Sequence, residues 1–285
     1  MVGNIVATWD LYFHFEYDFE AFEGINMGLI APVIVLGGLL LALIILFGKW
    51  KGIRAIISLG FIFSAVFLVL VPAILSDFNI YLSTVIVGVF AILSALLIFV
   101  GVNKKALASI IGCFGGIALA GLLVVVMDIF LQFAIRADTN IMDLRWILDR
   151  EMEARPFIFA SIVIGSIGAV MDTAVSISSP LWELKKTGAI SDFTSFWESG
   201  INIGRDILGT MLNTLVLAYI GSAFSLVLLL SVFSHSALEI LNMEMVIVVI
   251  LQALIGGFGM LVTIPLTIVC CGYLYTSQPQ TAQAL

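Results

Sequence analysis

Residues 157–181 read FIFASIVIGSIGAVMDTAVSISSPL, an apolar run whose only charged side chain is Asp172. About 20 apolar residues span a bilayer as a helix, so the run predicts a transmembrane helix. An ionisable group at membrane depth costs free energy unless it faces water or a partner, and it therefore marks a candidate functional site. Small and polar residues recur every three or four positions and share one helical face: Ser161, Gly165, Gly168, Asp172, Ser176 and Ser179. This stripe predicts a pathway rather than a simple anchor.

The whole chain has the composition of a membrane protein. Hydrophobic residues make up 62% and charged residues only 11%, and the mean hydropathy is +1.20, which excludes an ordinary soluble domain. Seven apolar stretches reach membrane-spanning length: about 25–47, 55–75, 80–102, 106–135, 157–181, 205–233 and 245–275. The sequence therefore predicts an all-α polytopic membrane protein with about seven transmembrane helices in a domain covering residues 25–275.

Three further segments lie outside these spans. Residues 1–24 form an acidic, aromatic tail, interpreted either as an aromatic belt at the membrane interface or as an edge strand that docks on a partner. Residues 139–156 and 191–201 each place apolar side chains on one helical face, which predicts two interfacial amphipathic helices. Residues 276–285 form a short tail.

The distribution of basic residues predicts the orientation. Eight of the twelve Lys and Arg residues lie in the loops after span 1, after span 3 and between spans 5 and 6. Because such loops stay in the cytoplasm, we expect the N-terminus outside and the C-terminus inside the cytoplasmic (inner) membrane.

Polar side chains also mark spans 6 and 7. Asn213 lies about 12 Å and Asp172 about 16 Å along their helices from the same predicted surface, so the two residues lie at comparable depth if spans 5 and 6 are neighbours. The candidate pathway residues of the two later spans are Asp206, Thr210, Asn213, Thr214, Gln252 and Thr263. Candidate packing or gating residues are Gly165, Gly168, Gly256, Gly259 and Pro265.

Several of these residues have a simpler interpretation. Thr210, Thr214 and Gln252, taken singly, are better explained as polar contacts between packed helices. Asp206 follows Arg205 in the first turn of its predicted helix, where an acid complements the helix dipole. Asp172 and Asn213, at matching depth, are the pair for which a functional interpretation is favoured.

Enzymatic chemistry is not predicted. The sequence contains no H-E-x-x-H, G-x-S-x-G or phosphate-loop motif and no paired intramembrane aspartates. We therefore expect no catalytic residues, no metal site and no cofactor. With a net charge of −7, nucleic acid is not an expected partner.

Three stretches resemble the YibE/F family of bacterial membrane proteins: IGSIGAVMDTAVSISSPLWEL (164–184), GRDILGTMLNTLVLAYIGSAFSLVLL (204–229) and LIGGFGMLVTIPLTIV (254–269). The resemblance covers most of residues 155–275 and implies a permease without identifying its substrate. Single-chain members carry a further N-terminal span and an extracytoplasmic domain. Their absence from this sequence implies an F-type subunit paired with a separate E-type chain. Assembly with further copies of the same chain as a homo-oligomer is an alternative to this pairing.

A looser similarity of layout relates spans 5–7 to the half-repeat of RND transporters and the SecD/SecF export factors. There an aspartate-bearing helix is followed by an amphipathic cytoplasmic helix and two spans, and the resemblance implies a role for Asp172 in proton coupling. An alternative architecture pairs spans 2–4 with spans 5–7 as inverted repeats.

Two functions follow as hypotheses. The first is an ion- or proton-coupled transporter or permease subunit in which Asp172 is the coupling carboxylate, with Asn213, Thr210 and Ser176 as its polar partners. The alternative is a non-transporting scaffold for an extracytoplasmic partner, in which Asp172 forms a buried structural hydrogen bond.

Overall fold

The computed structural model describes residues 27–76, 78–131, 155–225 and 243–276, together with positions 228, 232, 238 and 239. All regular elements in these residues are helical. They are α1 (Met27–Ala65), a π-helical turn (Val66–Leu70), α2 (Val71–Leu75), α3 (Ile80–Phe99), α4 (Lys104–Leu131), α5 (Arg155–Lys186), α6 (Phe193–Ser222) and α7 (Glu244–Thr276). The predicted N-terminal tail, the amphipathic helix before α5 and residues 277–285 lie outside the described residues.

Six helical stretches in the described part of the chain are long and apolar enough to cross a membrane: Ile30–Leu75, Ile80–Phe99, Lys104–Phe130, Arg155–Lys186, Phe193–Ser222 and Val246–Thr276. A helix satisfies its own backbone hydrogen bonds, which is required in hydrocarbon. The prediction of an all-helical, multi-pass membrane protein is therefore confirmed.

The first of these stretches contains the first two predicted spans. It has 46 residues and is broken at Lys49, whose φ of 47° and ψ of −127° are not helical. A Cβ placed on Gly52 would lie 2.9 Å from the carbonyl carbon of Ile44. Eight residues of unbroken helix would separate these positions by about 12 Å. The chain therefore bends back at Lys49, between the two predicted spans.

The chain divides into two compact units, residues 1–101 and 102–285. In the first unit α3 buries one face of small and aliphatic residues, including Ser83, Thr84, Val87 and Ala91. The boundary falls between predicted spans 3 and 4.

In the second unit α4, α5 and α7 pack against one another and α6 packs against α5 and α7. One core cluster includes Leu181, Phe196, Ile268 and Tyr275; the other includes Ile162 of α5 and further apolar residues of α4 and α7. Because lipid tails are as apolar as these side chains, association depends on close van der Waals packing and hydrogen bonds rather than on the hydrophobic effect.

The helix α6 differs from the prediction. The segment 191–201 was expected to be a separate amphipathic helix beside span 6, but α6 continues without interruption from Phe193 to Ser222. The reason is close packing along α7: Cβ atoms on Gly200 and Gly204 would lie 2.6 Å and 2.7 Å from side-chain carbons of Ile268 and Ile264. The two glycines let the first half of α6 lie against α7, and Phe196 is fully buried there.

Candidate functional site

The polar stripe of α5 lies on its exposed side. Val170, Thr173 and Ile177 are buried, and they define the opposite, core-facing side of the helix. The predicted stripe divides into Ser161, Gly165, Gly168 and Asp172, which are exposed, and Ser176 and Ser179, which are half-buried. The helical period in the sequence therefore grouped these residues correctly, but the stripe faces away from the core of the second unit.

Asp172 has no hydrogen-bond or ion-pair partner among the described residues. The residue is exposed, and its carboxylate forms neither a hydrogen bond nor an ion pair within that part of the chain. The two ion pairs among the described residues lie at the ends of α5: Arg155 with Asp128 at 3.6 Å and Lys186 with Glu183 at 3.4 Å. Within the described chain, Asp172 is thus an acid without an ion pair in the middle of a membrane-length helix.

Two contacts define the register of α5 and α6. The Thr173 Oγ1 lies 3.5 Å from the Met211 Sδ, and a Cβ on Gly165 would collide with the Tyr219 hydroxyl. Eight residues separate the contacts on each helix, in opposite chain directions, so the two helices run antiparallel. Asp172, next to Thr173, therefore lies within about one residue rise of the level of Asn213.

The predicted stripe of α6 is also exposed: Asp206, Thr210, Asn213 and Thr214. The two threonine hydroxyls donate to carbonyl oxygens of their own helix, Thr210 to Ile207 and Thr214 to Thr210, both at 2.9 Å. Asn213 has no hydrogen bond to Asp172 or to any other described residue. Hydroxyls bonded in this way are tolerated in hydrocarbon, whereas an unbonded amide is costly.

The residues of the predicted stripe of α7 contact neighbouring helices, unlike the exposed stripe of α6. Gln252 Nε2 donates to Ser161 Oγ at 3.1 Å, so these two residues join α7 to α5. Cβ atoms on Gly256 and Gly259 would lie 3.1 Å from a Leu215 carbon and 3.2 Å from a Val170 carbon, respectively. These glycines are therefore part of helix-packing contacts.

Thr263 and Pro265 are part of the packed helix α7. Thr263 is fully buried, donates to the Gly259 carbonyl oxygen at 2.8 Å and packs against Gly116 of α4. Pro265 lies within the uninterrupted helix α7. The structure thus brings Asp172 and Asn213 to one level but places Gly259 and Thr263 in the core.

A buried polar cluster at the other end of these helices was not singled out from the sequence. Ser109 and Ser178 are hydrogen-bonded at 2.7 Å, and the Tyr275 hydroxyl donates to the Ser178 carbonyl oxygen at 3.3 Å. Lys104 Nζ donates to the Leu274 carbonyl oxygen at 2.9 Å. Each of these residue types is common in helices and gives no signal in the sequence by itself. Only the packing of α4, α5 and α7 brings them together.

A groove of about 250 Å³ lies in the first unit, lined by residues between Leu68 and Ile86. Its lining is apolar apart from Ser76 and Ser83. No group of three or more His, Cys, Asp or Glu side chains suitable for a metal ion occurs in the described ranges. The candidate site is therefore the exposed pair of stripes on α5 and α6.

Comparison with known proteins agrees with the sequence resemblance. No curated protein and no solved structure gives a significant match. The match to the family described as YibE/F-like protein covers residues 36–277, which include most of α1 and all of α2–α7. The chain belongs to the YibE/F-like protein family.

Proposed function

We propose that the chain is an ion- or proton-coupled secondary transporter or permease subunit that moves a small solute or ion, with Asp172 as the coupling carboxylate. The observation that carries the proposal is the position of Asp172. It is exposed halfway along a membrane-length helix, unpaired among the described residues, and level with Asn213.

The chemistry of this position suits reversible loading. A carboxylate that is already neutralised by a basic side chain has little left to offer a cation or a proton, whereas Asp172 has no such partner in the described chain. Ser176, one turn away, and the Thr210 and Asn213 side chains would supply further oxygen atoms. An ionisable group at this depth is retained at a cost in free energy, which favours a functional role.

The alternative scaffold hypothesis required Asp172 to form a buried structural hydrogen bond. The exposed position of Asp172, without a hydrogen bond to any described residue, gives that hypothesis no support. The remaining part of the hypothesis concerns the tail, residues 1–24, which lies outside the described residues.

The proposed orientation has the N-terminus outside and the C-terminus inside. Val102, which is 90% exposed between α3 and α4, and exposed Lys186 at the end of α5 would then face the cytoplasm. In a cysteine-free background, Val102→Cys and Lys186→Cys should react with a membrane-impermeant maleimide in inverted vesicles but not in intact cells. Labelling of either residue in intact cells would contradict the orientation.

Proton flux tests the role of Asp172. Purified protein is reconstituted into liposomes that contain the pH dye pyranine, and gradients of Na⁺, K⁺ or Mg²⁺ and a membrane potential are imposed in turn. We expect the wild-type chain to move protons under at least one of these conditions, and Asp172→Asn to reduce the rate to that of empty liposomes. Asp172→Glu, which keeps the acid, should retain part of the flux.

Asp128→Asn is the matched control, because Asp128 is also an acid within a membrane-length helix but is paired with Arg155. It should leave the flux close to that of the wild type. Thermal unfolding of each variant in detergent establishes that the helices still pack. Wild-type flux in a correctly folded Asp172→Asn variant would refute the proposal.

A further inference from the structure

The second unit has one exposed face that is unusually polar for membrane-length helices. It is formed by α5 and α6, and we call it the polar face: Gly168, Asp172, Asp206, Thr210, Asn213 and Thr214. By contrast, the exposed side of α7 carries Leu254, Phe258 and Leu261. That side is suited to contact with lipid tails, and the polar face is not.

Two members of the polar face need a polar partner at this depth. The Thr210 and Thr214 hydroxyls are already bonded to their own helix. Asp172 and Asn213 form no hydrogen bond in the described part of the chain, and transferring an unbonded carboxyl or amide into hydrocarbon costs several kcal/mol. The described part of one chain therefore leaves these two polar groups without a hydrogen-bond partner.

The register of the two helices makes the polar face self-complementary. Asp172 on α5 and Asn213 on α6 lie at the same level because Thr173 contacts Met211. Rotation about a two-fold axis parallel to the helices leaves each residue at the same height along the helices. It also places α5 of one copy opposite α6 of the other. Asn213 of the second copy would then lie at the level of Asp172, where its amide can donate to the carboxylate. An isologous contact makes each such pair twice.

The surface beside this pair is open to a second helix. A Cβ on Gly168, one turn from Asp172, would meet nothing within 4 Å, and the same holds for Gly209 of α6. Gly165 differs, because its notch is filled by Tyr219 of the same chain. Small residues in open notches let helix backbones approach closely enough for hydrogen bonds between helices.

We propose that the polar face binds the same face of a second copy of this chain, so that Asn213 of one copy completes the Asp172 site of the other. The function of the completed site rests on the transporter proposal above, whereas the pairing of the two faces stands independently of it.

Disulfide cross-linking between two differently tagged copies tests the pairing. In the α5–α6 register, Gly168 lies level with Leu217, which is 67% exposed. One copy carries Gly168→Cys and the other Leu217→Cys, both in a cysteine-free background and co-expressed in membranes. Oxidation should give a covalent dimer that carries both tags. The control replaces Leu217→Cys with Leu254→Cys on the exposed side of α7 and should give little product.

The mass of the complex in nanodiscs gives a readout that needs no cysteine. The wild type should contain two copies. Gly168→Leu combined with Asn213→Leu should raise the dissociation constant about tenfold or more. Gly60→Leu, at an α1 glycine that is also open, should leave the dimer intact. Thermal unfolding shows whether each variant folds.

The outcomes separate this proposal from the transporter proposal. A dimer without proton flux would support the pairing and contradict the transport proposal. Proton flux by a single copy would contradict the pairing and leave the transport proposal standing. A single-copy wild type without a doubly tagged product overturns the pairing. A cross-link only to a different membrane protein also overturns it and assigns the polar face to that partner.

Discussion

Gly116 of α4 and Gly259 of α7 lie with their backbones in direct contact. A Cβ on Gly116 would lie 2.7 Å from the Gly259 carbonyl oxygen, and a Cβ on Gly259 would lie 3.3 Å from the Gly116 carbonyl oxygen. Thr263 and Val170 close the contact on either side. This crossing holds α4, α5 and α7 together without a large apolar side chain at its centre.

Gly116→Ala should therefore lower the free energy of unfolding of the protein by about 1–3 kcal/mol, because the new methyl group forces the two backbones apart. The measurement is thermal unfolding in detergent. Gly60→Ala is the control: its Cβ meets nothing within 4 Å, and alanine in a helix is about as stable as glycine or more so. Equal stability of the two variants would show that α4 and α7 do not cross at Gly116.

The contact between Gly165 and Tyr219 predicts that a change at Tyr219 restores the stability lost by a change at Gly165. A Cβ on Gly165 would strike the Tyr219 hydroxyl, whereas the ring carbon that bears it would be 3.6 Å away. Gly165→Ala should thus destabilise the α5–α6 contact by about 1–3 kcal/mol, and Tyr219→Phe should restore most of that loss in the double variant. A double-mutant cycle measures the coupling. Additive effects would show that the two residues are not in contact.

The sequence was sufficient to predict features that depend on helical period and length. The membrane-length helices follow from runs of apolar residues, and the grouping of Gly168 with Asp172 follows from their four-residue spacing. The sequence also predicts helix within residues 191–201, and α6 includes this segment from Phe193 onward. These inferences need no knowledge of a neighbouring helix.

Features that depend on a neighbour were not predictable. A stripe such as Gly256, Gly259 and Thr263 has the same period whether it lines a cavity or packs against another helix. The deciding residue is Gly116, which lies on a different helix and leaves no space for a cavity at Gly259. The continuity of α6 through Gly200 and Gly204 depends in the same way on Ile264 and Ile268 of α7.

Two substitutions of Tyr275 separate the contribution of its ring packing to stability from that of its hydroxyl group. The side chain is 2% exposed, and its ring lies 4.9 Å from the Trp182 ring and 5.9 Å from the Phe196 ring. Tyr275→Phe keeps these contacts and loses the hydrogen bonds of the hydroxyl, to the Ser178 carbonyl oxygen and with the Cys271 side chain, at a cost of about 0.5–1.5 kcal/mol for each bond. Tyr275→Ala leaves a cavity and should cost about 3–5 kcal/mol. Thermal unfolding that ranks Tyr275→Phe as the more damaging change would contradict this assignment.

The stability of the first turn of α6 should depend on pH because of Asp192. The Ser195 hydroxyl, which donates to Asp192 Oδ1 at 2.9 Å, holds the pKa of this exposed carboxyl below its usual value. A group with a lowered folded pKa stabilises the fold above its unfolded pKa of about 3.9, and that stabilisation is lost as the pH falls through the folded pKa. Hydrogen-exchange protection of the amides of residues 193–196 should therefore decrease below about pH 4. Asp192→Asn should remove this decrease and Glu198→Gln should not. A decrease that persists in Asp192→Asn would assign the effect to another acid.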